Sequence, residues 1–291
     1  MIQNVFIAGA GLMGQGIAQV TLCAGRQVVL FDLNAAVLQS AIDQIGWSLE
    51  KLHSKGRIQE SPNTILARLK TTTDLSAASN TDLVIEAIPE QELLKRNLFS
   101  QLDQLVPGHV PFASNTSAIP ITILASATSC PERFCGLHFF NPVPLMPLVE
   151  IVRGEKTNEE TLSLMTSFAE EIGKQPVQVK GEQPGFIVNR ILGAAMMEAI
   201  RILEAGQASA ADIDKAMRLG CGWKMGPLET ADLAGLDIVM HMCDVMQKEN
   251  SEQVFSPPPA LRERVSAGHL GRKTGQGFYT YRPESGETEP A

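Results

Sequence analysis

The sequence predicts an α/β fold: a mostly parallel sheet with flanking helices over residues 1–182, and a smaller all-α domain over residues 183–291. Three observations carry that expectation. Short apolar runs alternate with helical patterns up to about residue 180, as in strands joined by crossover helices. A glycine-rich turn joins the first run to the first helical pattern. After Gly181-Glu-Gln-Pro-Gly185 the alternation stops and helical patterns follow one another.

Strands are expected at residues 5–8, 28–31, 83–87, 110–114, 134–138, 148–152 and 176–179. The clearest helix begins after Asn34, a good N-cap. It carries Leu38, Ile42, Ile45, Leu49 and Leu52, spaced to form one apolar stripe. Further helices are expected at about 186–205, 210–219, 227–233 and 236–249, with Gly206 ending the first and Ser209 capping the second. Pro257-Pro-Pro259 reads as a stiff surface loop, and the polar tail after about residue 283 as mobile.

Composition narrows the class. A net charge of −8 argues against nucleic acid as a partner, because neutralising phosphates needs a basic surface. Five cysteines, odd in number and without a C-x-x-C pair, suit a reducing, cytoplasmic setting. The N-terminus shows no targeting pattern, and no run of about 18 apolar residues suggests a membrane span. No metal-ligand spacing is evident.

Gly9-Ala-Gly11-Leu12-Met13-Gly14 follows an apolar strand and opens a helix, and the next strand closes on Asp32. That is the full strand–helix–strand context of a Rossmann-type dinucleotide site. Glycines let the backbone approach a pyrophosphate, and the helix N-terminus offers free N–H donors. Asp32 can accept hydrogen bonds from ribose hydroxyls. Leu33-Asn34 follow it, with no Arg to neutralise a 2′-phosphate, so NAD is expected over NADP.

Of five histidines, His53, His109, His241 and His269 read as ordinary surface or core residues. His138 ends a strand on the side where ligands bind in this architecture. Glu150 lies twelve residues on, inside the apolar Leu148-Val-Glu-Ile-Val152, where an unpaired carboxylate is costly. A His138–Glu150 pair would fix the imidazole tautomer and orient the ring as a general base. Spacing alone leaves a purely structural pair equally open.

Five motifs, in order along essentially the whole chain, resemble the 3-hydroxyacyl-CoA dehydrogenase family. They are Ser114-Asn-Thr-Ser117, Gly136-Leu-His-Phe-Phe-Asn-Pro-Val-Pro144, Pro184-Gly-Phe-Ile-Val-Asn-Arg190, Met225-Gly-Pro227 and Gly271-Arg-Lys-Thr-Gly-Gln-Gly-Phe-Tyr279. The short bacterial 3-hydroxybutyryl-CoA dehydrogenases are the most similar branch. The resemblance implies NAD-dependent, reversible oxidation of an (S)-3-hydroxyacyl-CoA, with His138 as base and Glu150 orienting it. It implies that Ser117 and Asn189 hydrogen-bond the substrate. It further implies cofactor contacts from Ala87, Glu90, Lys95, Asn115, Ser117, Asn141 and Lys273, beside the glycine turn and Asp32. Ser48 and Lys55, seven apart on the long helix, match the family's contacts to the CoA of the acyl-CoA substrate. A homodimer through the helical domain is likewise implied. Met146-Pro147 departs from the family, where a Lys commonly follows the Met. Two alternatives stand beside this reading: a dehydrogenase of a free hydroxy acid (gulonate-type), and a non-catalytic NAD-binding descendant.

Overall fold

The computed structural model describes residues 2–250, 253–281 and 288–290. The chain divides into two compact units, residues 1–182 and 183–291.

The first unit runs β1 (Asn4–Ala8), α1 (Leu12–Cys23), β2 (Gln27–Phe31), α2 (Ala35–Ser54), α3 (Pro62–Leu66), β3 (Leu69–Thr72), β4 (Leu83–Glu86), α4 (Glu92–Asp103), β5 (Phe112–Ser114), α5 (Ile121–Ala125), β6 (Phe134–Phe139), β7 (Leu148–Val152), α6 (Glu159–Glu171) and β8 (Gln175–Val179). The strands form one sheet in the order β3-β2-β1-β4-β5-β6-β7-β8. Neighbours are parallel except β6 and β7. The exception follows from chain length. Residues 140–147 between β6 and β7 are too few for a crossover, which takes a dozen or more. The chain therefore turns back on itself.

Side chains alternate across the sheet with period two. Val5, Ile7, Val28, Leu30, Leu83 and Ile85 share an aliphatic core with residues of α1, α2 and α6. Phe112 and Phe134 pack edge-on against Phe99 of α4, and Phe6 stacks on Phe31. Both faces are thus covered, as a parallel sheet requires.

The Asn34 cap forms, its side chain accepting from Ala36 N–H. The buried stripe of α2 is Leu38, Ala41, Ile45 and Leu49; Ile42 and Leu52 are only half-buried. β3 escaped the sequence reading because Leu-Lys-Thr-Thr has one apolar residue and lies at the sheet edge, where burial is incomplete.

The second unit comprises α7 (Val188–Glu204), α8 (Ala210–Cys221), α9 (Pro227–Ala234), α10 (Leu236–Asn250), α11 (Pro259–Ser266), β9 (Tyr279–Tyr281) and β10 (Thr288–Pro290). Its core gathers Met196, Met197, Ile200, Leu228, Leu236 and Phe278. Ser209 caps α8 by accepting from Asp212 N–H, and Gly206 follows α7 at φ 67°. The proline run is not an exposed loop. Pro257 and Pro258 are buried and Pro259 opens α11, where a fixed φ and a missing N–H are tolerated. Part of the expected tail pairs as β10 with β9; residues 282–287 and 291 lie outside the described residues. Among the described residues no helix is long and apolar enough to cross a membrane, and no cluster of three or more potential metal ligands forms.

Candidate active site

Five strand ends define the site: the C-termini of β1, β2, β4, β5 and β6, which all point one way. At β1 the chain enters the glycine turn. A Cβ on Gly9, at φ 104°, would meet Ala87 O at 2.5 Å, and one on Gly14 would meet Gly9 O at 1.8 Å. Only glycine packs strand, turn and helix this closely. Gly11 differs, because its Cβ would meet nothing within 4 Å. It opens α1 without a capping side chain, leaving the first-turn N–H groups of Leu12, Met13 and Gly14 for an anion.

Asp32 closes β2 beside this turn. Its Oδ2 accepts from Ala10 N–H and its Oδ1 from Asn34 N–H, both at 3.0 Å. Each oxygen keeps a second lone-pair direction for a hydroxyl. Leu33, the next residue, is 86 % exposed, an apolar side chain held at the rim. Open space at Gly11, bare N–H groups and a fixed carboxylate fit a dinucleotide.

The β4 and β5 ends hold a network that the sequence reading missed in part. Glu86 ends the apolar run Leu-Val-Ile-Glu and is wholly buried. Its Oε1 accepts from Lys95 Nζ at 2.8 Å and Ile88 N–H at 2.7 Å, and its Oε2 from Ser114 Oγ at 2.6 Å and from Lys95 Nζ at 3.0 Å. Lys95 also reaches Glu90 Oε2 at 3.0 Å. Glu90 Oε1 accepts from Thr116 Oγ1 at 2.6 Å and from the N–H groups of Ser117 and Ala118 at 2.9 and 3.0 Å. The Ser117 hydroxyl lies 3.4 Å from the same oxygen.

Lys95, expected at the cofactor, is therefore sequestered. It is 1 % exposed, with its ammonium directed at two carboxylates. Glu90 is the member that reaches the surface, and it shapes the loop carrying Ser117. Burial pushes the Glu86 carboxyl above its usual range despite Lys95 and the hydrogen bonds. Burial also opposes ionisation of Glu90, but the Lys95 charge and the Thr116 and Ser117 donors outweigh it and hold Glu90 low.

The β6–β7 hairpin sets His138 and Glu150 directly opposite each other. His138 Nδ1 lies 2.8 Å from Glu150 Oε2, and both residues are buried. The imidazole also packs against Phe140, with centroids 4.6 Å apart. Asn115 at the β5 end adds a clamp, its Oδ1 accepting from Phe139 N–H at 2.9 Å. Glu150 thus fixes the ring plane while Asn115 fixes the backbone that follows it. Among the five histidines His138 alone is buried.

Asn141 is exposed in the loop after β6, and Ala87 follows β4, its N–H donating to Ala8 O. Ser48 is half-buried on α2, and Lys55 is exposed at its C-cap. Asn189 lies in the first turn of α7 in the second unit. Lys273, in the same unit, holds Asp237 at 2.6 and 2.7 Å. The motif around Lys273 has an anchor that sequence reading passed over. Buried Asp232 accepts from the N–H groups of Phe278 and Tyr279 and from the Tyr281 hydroxyl. A Cβ on Gly271 or Gly277 would collide with Asp232 at 2.3 or 2.1 Å, so those two glycines serve this packing.

Together these strand ends offer a turn that fits a nicotinamide dinucleotide and, nearby on the sheet, a buried imidazole–carboxylate pair, a combination that suits an NAD-dependent dehydrogenase. Residues 4–182 match the family description "3-hydroxyacyl-CoA dehydrogenase, NAD binding domain", and residues 185–281 match "3-hydroxyacyl-CoA dehydrogenase, C-terminal domain". The chain belongs to the 3-hydroxyacyl-CoA dehydrogenase family, and is an NAD-dependent oxidoreductase.

A probable 3-hydroxybutyryl-CoA dehydrogenase of Deinococcus radiodurans is 46% identical over 275 residues, covering 94% of this chain and 99% of its own. The mitochondrial hydroxyacyl-coenzyme A dehydrogenase of Sus scrofa is 44% identical, over 97% of this chain and 92% of its own. A crystal structure of (S)-3-hydroxybutyryl-CoA dehydrogenase from Ralstonia eutropha superposes with a TM-score of 0.93 at 43% identity, covering 97% of this chain and 100% of that one.

Proposed function

We propose that the protein interconverts (S)-3-hydroxybutyryl-CoA and acetoacetyl-CoA, with NAD as the electron carrier. The observation that carries the chemistry is the buried His138–Glu150 pair at 2.8 Å, beside the strand ends that fit the dinucleotide. NAD, when bound, accepts the hydride from the substrate's C3. With Nδ1 engaged by Glu150, His138 takes the hydroxyl proton at Nε2 during oxidation and returns it during reduction. Glu150 holds the ring and stabilises the imidazolium that forms.

Ser117 and Asn189 hydrogen-bond the substrate oxygens. Glu90 positions Ser117 through the loop N–H groups, and Lys95 serves the cofactor through Glu90 rather than by contact. Asp32 binds the adenosine ribose, and Ala87, Asn115 and Asn141 line the cofactor's wall. Lys273 is a further cofactor contact. Ser48 and Lys55 bind the CoA portion. Exposed Ile191, Leu219, Leu233 and Ile238 of the second unit support a homodimer formed through it. Five free cysteines suit a reducing compartment such as the cytoplasm.

The test is NADH oxidation followed at 340 nm with acetoacetyl-CoA and, separately, with free acetoacetate. Turnover of the thioester at least about a hundredfold faster in kcat/KM, near 2.8 kcal/mol, is expected. Equal turnover of the free acid would move the protein to a hydroxy-acid dehydrogenase, and no turnover of either would leave a non-catalytic NAD binder.

A further inference from the structure

Residues 140–147 join β6 to β7 and so stand between His138 and Glu150 in the chain. The loop of a hairpin sets its register, and a slip of one residue would turn the ring and the carboxylate to opposite faces. A tight two-residue turn specifies register by its own geometry. This longer loop is instead held from outside, at two places. One is α1: a Cβ on Gly16 would meet Val143 Cβ at 2.7 Å, so helix and loop are in close contact. The other is Lys174. α6 is followed by Gly173 at φ 76°, and Lys174 N–H turns back to Ala169 O at 2.9 Å. After that stop the Lys174 side chain reaches the loop, where Nζ donates to Val143 O at 2.5 Å and to Met146 O at 2.9 Å. The next residue, Gln175, donates its N–H to Pro147 O at 2.7 Å.

Lys174 is 7 % exposed, and among the described residues its ammonium bonds these carbonyls rather than a carboxylate. Glu171, at the end of α6, pairs with Arg26 instead. Burial pulls the Lys174 pKa below its ordinary 10.5, so the charge is kept at a cost. A lysine behind a helix C-terminus suits the dipole, but that needs neither burial nor a bond to a distant loop. We propose that Lys174 is a positioning residue for the reaction: its ammonium locks residues 140–147 and thereby fixes His138 against Glu150 for proton transfer. This deepens the dehydrogenase reading of the site and rests on it. Two carbonyls on one ammonium tie the loop at two points, and the Gln175–Pro147 bond ties it at a third, next to the start of β7.

The experiment is a mutant cycle on kcat with acetoacetyl-CoA and NADH. Lys174→Met keeps the reach of the side chain and removes the ammonium. In an otherwise wild-type chain it is expected to lower kcat about tenfold, part of the roughly hundredfold that a 1 Å misplacement costs, with KM for acetoacetyl-CoA unchanged within about threefold. In a His138→Gln background the same substitution should add less than about a twofold loss, because Lys174 acts through the imidazole. A merely structural role gives a different pattern: a smaller folded fraction lowers both backgrounds by the same factor. Where Lys174→Met does not fold, the cycle is run with Lys174→Gln, whose shorter amide still offers N–H donors; about a threefold loss is then expected in the wild-type background and none in the other. A kcat loss under about twofold in the wild-type background, or equal fold-losses in the two backgrounds, overturns the proposal. If the wild type turns over no CoA thioester, the acyl-CoA reading itself fails; if it does and only the cycle is negative, the role of Lys174 alone falls.

Discussion

Two buried ionic groups sit a few strands apart at the same edge of one sheet, and they are built for opposite ends. At β6–β7, His138 faces the carboxylate of Glu150 across an antiparallel pair. At β4–β5, Lys95 is held by two carboxylates, which are themselves fastened to Ser114, Thr116 and backbone N–H groups. The Lys95 ammonium is instead the hub that joins Glu86 and Glu90. The first arrangement orients one ring and the second fastens the ends of β4 and β5 to the loop that follows, although both are buried. Burial of an ionisable group alone therefore does not mark a catalytic group.

The largest effect is expected at the histidine. His138→Gln is expected to lower kcat about 10²–10⁴-fold, the range of a positioned acid–base group, while the NADH dissociation constant stays within about threefold. Near-normal turnover would remove the hairpin pair from the chemistry.

Lys95→Met should act on folding instead. Removing the cation from a buried pair leaves Glu86 without its counter-charge, and urea denaturation should show a loss of about 3–5 kcal/mol. A loss under about 1 kcal/mol would mean that Glu86 and Glu90 are not held as a charged cluster.

A subtler effect separates those two carboxylates by pH. The Glu90 value is held below its ordinary 4.5, so its contribution to stability is present above that value and fades as pH falls through the lower native one. Glu86 has the opposite sign: its native value is raised, so stability falls as pH rises from the ordinary 4.5 to that value and the cost is complete above it. The stability gap between wild type and Glu90→Gln should be full at neutral pH and close on acidification below 4.5. A gap that is constant with pH would contradict this assignment.

Much of this was legible in the sequence, and the gaps have physical causes. The glycine turn and Asp32 were readable because dinucleotide binding imposes a fixed local order. Asn34, Ser209 and the α2 periodicity were readable because helix caps and apolar stripes are local signals. The His138–Glu150 contact was readable as a possibility, since a carboxylate in an apolar strand needs a partner. The same logic, applied to Glu86 after Leu-Val-Ile, would have found the second cluster. β3 depends on a strand neighbour far away in sequence, which no window of residues contains, whereas the reversal at β7 is implied by the short connection from β6. The sequestering of Lys95 is likewise tertiary: its motif position matched the family, but its depth is set by strands β4 and β5.

A double-mutant cycle tests whether His138 and Glu150 act as one unit. Glu150→Gln should lower kcat clearly in the wild-type background. In a His138→Gln background the same substitution should add less than about a twofold further loss, because Glu150 acts through the imidazole. Equal fold-losses in the two backgrounds would show that Glu150 works independently, and would contradict the pair.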